Sequence, residues 1–285
     1  MMISFTKSGA SFVVPDGAEQ ALERTTHLGV GAHQDDLEFM ALHGILACYG
    51  RTDRWFGGVV CTDGAGSPES GPYAGASGDV LREMRRREQI AAAHTGQYGF
   101  IAQLGFRSDD LKDPSCGEPG RDLRELLRAT RPEVVYTHNP ADRHATHAAV
   151  FTALLSALRD LPEDALPEKV YGCEVWRDLD WLPEASKVVL DVSARPHLAA
   201  ALNGVYDSQI AGGKRYDRAV EGRRLAQATF LESHEVDRIE RATLAMDLMP
   251  LVRDRALNPR DYVAGLIDAF REETLMLLDR MKRSR

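Results

Sequence analysis

Strand-like and helix-like segments alternate through the first half of this chain, and that alternation constrains its fold more than any other feature. His27 to Ala32 (HLGVGA) reads as a short buried strand, and Leu37 to Tyr49 as a helix stopped by Gly50. Trp55 to Thr62 (WFGGVVCT) reads as a second strand and Asp79 to Thr95 as a second helix. A third strand falls near Phe100 to Leu104, followed by a helix over Asp122 to Ala129 that Pro132 breaks. Glu133 to Thr137 is then a strand and Ala145 to Leu158 a helix. Strands separated by helices at this spacing pair in parallel. The expected fold is therefore α/β and Rossmann-like, a mainly parallel sheet with helices on both faces. Such sheets bind ligands just beyond the carboxyl ends of their strands. Two polar runs stand at such ends, one after the first strand and one about a hundred residues later.

The remainder is read more coarsely, as part of a single domain spanning residues 1–285. Lys169 to Trp176 and Lys187 to Val192 are expected strands, and Leu198 to Gln209 and Arg215 to Thr229 expected helices. Asn258 and Pro259 supply a cap and a first helical residue for a last helix over about 259–283. Val263, Ile267, Phe270, Leu277 and Met281 recur along it at intervals of three and four, with Thr274 the one polar interruption. That stripe is expected to pack on its own domain, with a homo-oligomer seam as the alternative. Gly64, Gly66, Gly71, Gly75 and Gly78 mark a loop after the second strand, read as a mobile active-site loop.

Charge narrows the partners. The formal net charge is -8 and the pI about 5.6, which argues against nucleic acid or an anionic membrane as the main partner. No run of about 18 apolar residues is present, so no membrane span is expected. Cys48, Cys61, Cys116 and Cys173 are scattered without a C-x-x-C pair. They read as thiols in a reducing, cytoplasmic setting.

The first polar run is His33-Gln34-Asp35-Asp36. A catalytic zinc takes three nitrogen or oxygen ligands and keeps one position for water. His33 and Asp36, three apart on a turn into a helix, can converge on one ion. Asp35 cannot easily reach the same ion and can face the water instead, as the base that takes its proton. The alternative is that these carboxylates serve as a helix cap.

The second run, residues 138–147, holds three of the chain's nine histidines: His138, His144 and His147. His147 would complete the metal triad. His144, three residues earlier, would be free to hydrogen-bond a tetrahedral oxyanion or protonate the leaving amine. Asp142 could hold the tautomer of His144.

These segments bear a family resemblance. GAHQDDLE is similar to the A-H-P-D-D-E motif of the PIG-L/LmbE deacetylases, zinc enzymes that remove acetyl groups from N-acetylglucosaminyl conjugates. DRHATH resembles that family's second motif, R-H-P-D-H preceded by Asp. The resemblance runs from about residue 27 to 150, including the turn Thr62-Asp63-Gly64, with weaker echoes at 172–176 and 206–209. It implies a Rossmann-like fold, Zn2+ or another divalent metal on His33, Asp36 and His147, Asp35 as general base, and His144 as acid or oxyanion donor. The chain departs from the motifs at Gln34 and Ala145 (prolines in the family), at Leu37 with Glu38 one residue late, and at Thr146 in place of Asp.

Arg85, Tyr73 and Trp176 are candidate substrate contacts. Arg85 belongs to the cluster of Arg82, Arg85, Arg86 and Arg87, for which a solvated helix face is the plainer reading. Trp176 in a strand would be core. The expected activity is hydrolysis of an N-acyl group, chiefly N-acetyl, from an amino sugar or small glycoconjugate. The alternatives are an amidase on a non-sugar conjugate or natural-product intermediate, and a metal- or nucleotide-binding module without chemistry. The latter has no G-x-G-x-x-G behind it.

Overall fold

The computed structural model describes residues 3–66, 70–231 and 233–282. Its strands are β1 (Ser11–Val13), β2 (Thr25–Gly31), β3 (Trp55–Thr62), β4 (Phe100–Phe106), β5 (Val134–His138), β6 (Lys169–Cys173), β7 (Lys187–Asp191) and β8 (Ala242–Asp247). Helices α1 (Asp36–Met40) and α2 (Leu42–Cys48) follow β2, and α3 (Gly78–Thr95) follows β3. Between β4 and β5 lie α4 (Ser108–Lys112) and α5 (Glu118–Thr130), and α6 (Ala145–Arg159) follows β5. The remaining helices are α7 (Pro196–Gly204), α8 (Asp207–Ile210), α9 (Tyr216–Thr229), α10 (Met249–Arg253) and α11 (Pro259–Lys282).

All eight strands form one sheet in the order β1-β4-β3-β2-β5-β6-β8-β7. The central five are parallel, as the alternation predicts. β1 pairs antiparallel to β4 at one edge, and β8 runs antiparallel to both β6 and β7 at the other. β1 and β8 are absent from the sequence reading. β1 is three residues long, and β8 (ATLAMD) has Thr243 as its one β-branched residue. The chain leaves β2 toward β3 on one side and later returns to β5 on the other. The cleft between the carboxyl ends of β2 and β5 is thus the topological switch point.

Two buried layers cover the sheet. Leu28, Val30 and Val59 face the layer built from α5, α6 and α10, with Leu126, Val150, Leu154 and Leu251. Phe56, Val60 and Ile101 face the other, with Leu37, Met40, Ile45 and Leu202. On that second face β2 carries glycines. A Cβ at Gly31 would lie 3.1 Å from Cβ of Asp36, so its absence lets α1 start directly against the strand.

Three expectations change. The helix over Leu37 to Tyr49 is two helices, because Ala41 leaves helical geometry (φ -106, ψ 16). The helix expected over Leu198 to Gln209 is likewise two, α7 and α8. The terminal helix packs on its own domain only at its start, where Tyr262 and Leu266 meet the core and the Tyr262 hydroxyl donates to the Asp247 carbonyl. Beyond that turn Ile267, Phe270, Leu277 and Met281 stand exposed. The expected last residue, 283, and residues 67–69 of the glycine-rich loop lie outside the described residues. Among those described, no helix is long and apolar enough to cross a membrane.

Candidate active site

The turn from β2 into α1 sets the first polar run. Asp35 holds a left-handed backbone, φ 97 and ψ -29, a conformation that costs a non-glycine residue about 1–3 kcal/mol. It occupies the cap position of α1, yet its side chain makes no capping hydrogen bond. Capping is therefore not what this carboxylate does. Gln34, where the family motif has proline, ties the turn to the end of β3 by donating to the Thr62 carbonyl at 3.1 Å. Gly64 faces it with φ +75, and a Cβ there would lie 2.5 Å from the Gln34 Oε1.

His33, Asp36 and His147 converge. Nδ1 of His33 is 3.3 Å from Oδ2 of Asp36 and 3.2 Å from Nε2 of His147. Nε2 of His147 is 3.5 Å from that same carboxylate oxygen. Metal bonds of 2.0–2.1 Å at tetrahedral angles place ligand atoms about 3.4 Å apart, so the triangle has the size that one zinc-like ion requires. Its chemistry agrees. Oδ2 of Asp142 lies 3.1 Å from Nδ1 of His147, which keeps the ring proton there and leaves Nε2 with its lone pair toward the cluster. Burial pushes the Asp36 carboxyl up, but the nearby rings of His147, His138 and His33 outweigh it. It is held well below the usual carboxylate range, ionised and ready to ligate.

His138 ends β5, fully buried and stacked on His147 with centroids 3.8 Å apart. Asp36, His138 and His147 form an alternative ligand group, as do His33, His144 and His147. The backbone favours the first triangle over the one with His138, because Nε2 of His138 already accepts the amide N–H of Ala32 at 2.9 Å. His138 is better read as a wall that orients His147. Its position at the tip of a buried strand was the available sequence signal.

His144 is half-buried at the start of α6, and burial followed by the neighbouring His147 and His33 depresses its pKa to about 4. The ring is neutral at pH 7. Asp142 does not hold it: that carboxylate spends Oδ2 on His147 and the Trp176 amide, and gives Oδ1 to the backbone N–H of His144. The Asp142 expected beside the His144 ring thus serves His147. Thr146, in the place of the family aspartate, is buried and lines the cavity.

Asp35 sits apart from the triangle, 4% exposed. Burial, with Asp36 and Glu38 adding, raises its carboxyl well above the ordinary range against the opposing charge of Arg85. Nη2 of Arg85 is 3.5 Å from Oδ2 of Asp35 and donates to the Gln34 carbonyl at 2.6 Å. Arg85 is therefore no solvated residue; it is buried beside Asp35. Gln89, one turn on, accepts the Asp35 amide N–H at 3.3 Å and donates to Glu38. Glu38 also receives the hydroxyls of Tyr98 and Tyr206. Leu81, Arg85, Gln89 and Ala92 recur at steps of four, four and three on α3. That periodicity, hidden among the exposed arginines, marks Arg85 and Gln89 as inward-facing.

These groups open into a cavity of about 990 Å³. Gly64, Ala65 and Gly66 form part of its rim, and Trp176 lines it from the loop after β6, so Trp176 is not core. Tyr73 is not brought to this lining; its hydroxyl binds the Asp207 carboxylate.

Fold and site together define an α/β protein with a histidine–carboxylate cluster suited to a metal at its switch point. Residues 28–158 match the family model PIG-L, GlcNAc-PI de-N-acetylase. Over that segment the chain is similar to the PIG-L family. No curated protein matches it by sequence. Among solved structures, it is similar to N,N'-diacetylchitobiose deacetylase from Pyrococcus horikoshii, with 16% identity, TM-score 0.61, and coverage of 82% of this chain and 88% of that one. A zinc-inhibited form of teicoplanin deacetylase Orf2 shares 18% identity, with TM-score 0.57 and coverage of 78% and 97%. The fold is also that of GalB, the 4-carboxy-2-hydroxymuconate hydratase of Pseudomonas putida KT2440, at 18% identity, TM-score 0.57 and coverage of 79% and 96%.

Proposed function

We propose that this chain is a zinc-dependent N-deacylase that removes an N-acyl group, chiefly acetyl, from an amino sugar or small glycoconjugate. The fold alone does not decide this, since it also carries a hydratase. What supports the reading is the triangle of His33, Asp36 and His147, with edges of 3.2 to 3.5 Å, beside a buried carboxylate that is not part of it. The similarity to N,N'-diacetylchitobiose deacetylase and teicoplanin deacetylase agrees with it.

His33, Asp36 and His147 would hold the ion. A bound Zn2+ supplies a Lewis acid for the acyl carbonyl and lowers the pKa of its water. Asp35 accepts the proton of the attacking water, and its raised affinity for protons suits it as a base. Arg85 fixes the Asp35 side chain while Gln89 fixes its backbone. His144, neutral at pH 7, offers a ring N–H to the oxyanion of the tetrahedral intermediate. The C–N bond then breaks, the amine takes a proton, and acetate leaves.

A panel of N-acetylated amino sugars, scored for released acetate with and without a chelator, tests this. Release that stops on chelation and returns with Zn2+ is expected. Zinc-loaded protein that frees acetate from no member of the panel would overturn the reading.

A further inference from the structure

The cavity wall beyond His144 carries charge that the chemistry above leaves unused. Arg143 donates from Nε and Nη2 to the Trp176 carbonyl at 3.0 and 2.8 Å. Arg223, on α9, donates from Nη1 to the Val175 carbonyl at 2.5 Å. Those carbonyls are consecutive, so two guanidinium groups are drawn to one place. Lys214 adds a third cation, its Nζ 5.6 Å from the centroid of the Trp176 ring. All three line the cavity that holds His33, Asp36 and His144. The Trp176 ring faces His144, with centroids 6.0 Å apart and planes 23° from parallel.

Most other cations near the cavity are already neutralised. Arg82 is paired with Asp63 and Asp79, Lys112 with Asp109, and Arg215 with Asp217. Arg143, Lys214 and Arg223 form no ion pair among the described residues. Glu174, next to Val175, is buried and turns its oxygens inward, to the amides of Leu179 and Leu244 and the side chain of Gln227. Next to Arg223, the fully buried Arg224 gives Nη2 to the carbonyls of Glu38 and Phe39. Its Nε and Nη1 have no hydrogen-bond partner among the described residues, and it lines the same cavity. In a chain of net charge -8, this wall gathers positive charge in one place, with the buried Glu174 opposing it through space. Like charges gathered round one ring repel each other. They attract an anion, and a guanidinium fork suits the paired oxygens of a carboxylate or phosphate.

We propose that the substrate of this enzyme carries an anionic group, a carboxylate or a phosphate, which Arg143, Lys214 and Arg223 receive while Trp176 stacks against the ring beside it. This rests on the deacylase reading for the word substrate, but the anion site itself does not.

The test is calorimetric titration of the metal-loaded protein at low ionic strength with inorganic phosphate and, separately, malonate. Saturable millimolar binding is expected, at least tenfold weaker in the Lys214→Gln/Arg223→Gln double variant. The tighter of the two probes names the group. Metal content and thermal midpoint of the variant serve as the folding control, and each single variant replaces the double if that control fails. Absence of saturable binding, or equal affinity in wild type and variants, would overturn the proposal. Because no turnover is read, failure of the anion site and failure of the deacylase reading appear in different assays.

Discussion

Oδ2 of Asp142 lies 3.1 Å from Nδ1 of His147, across the ring from the nitrogen that faces His33 and Asp36. A carboxylate in that position fixes the tautomer and raises the basicity of the ligating nitrogen. Replacing such partners typically weakens metal binding about 10- to 100-fold. Asp142→Asn keeps the shape and removes the charge, so its zinc affinity should fall by that amount while one ion still binds at saturation. Competition against a chromogenic chelator measures it. An unchanged affinity would mean that the contact does not tune His147.

The choice between His33 and His138 as a ligand is separable by mutation. His147→Ala and His33→Ala should each purify with well under half an equivalent of metal, because each removes a corner of the triangle. His138→Gln should keep close to one equivalent, since the glutamine oxygen can still accept the Ala32 amide. Metal analysis that found His138→Gln empty and His33→Ala loaded would move the site to Asp36, His138 and His147.

The sheet and the convergence of His33, Asp36 and His147 were legible in the sequence for the same reason. A strand followed by a histidine–carboxylate turn imposes period, burial and chemistry within a dozen residues, as in HLGVGAHQDD. What stayed hidden depends on contacts between distant segments. The partner of Asp142 is decided by how α6 swings from β5, which places His147 rather than His144 over the carboxylate. Arg85 reads as a surface arginine until α3 is laid against the β2–α1 turn. Trp176 reads as core because GCEVW continues a strand pattern, whereas β6 ends at Cys173 and the loop turns the indole into the cavity.

Asp35→Asn isolates the base from the metal. Asp35 makes no edge of the triangle, so the variant should bind zinc as wild type does. Its kcat should drop about 10²- to 10⁴-fold, the range for a positioned general base, with KM little changed. Stopped assays on whichever acetylated sugar the wild type accepts give both constants. Near-normal turnover would reassign the proton acceptor.

Away from the site, His27 on β2 links stability to pH. It is 4% exposed and rests against the ring of Tyr136, 6.3 Å between centroids. Burial, assisted by the charges of Arg54 and His43, lowers its pKa from 6.5 to about 4. As pH falls below 6.5 the unfolded chain takes up this proton, while the folded chain does not until near pH 4. Its contribution to stability is thus whole above pH 6.5 and is lost across the window down to about 4. At 1.36 kcal/mol per pH unit the loss approaches about 3 kcal/mol. Urea unfolding of wild type and His27→Gln at steps from pH 7 to pH 4 reads the difference directly. The variant should start less stable at pH 7, through lost packing, and its stability should fall less steeply with acid. Parallel curves would show that His27 takes its proton equally in both states.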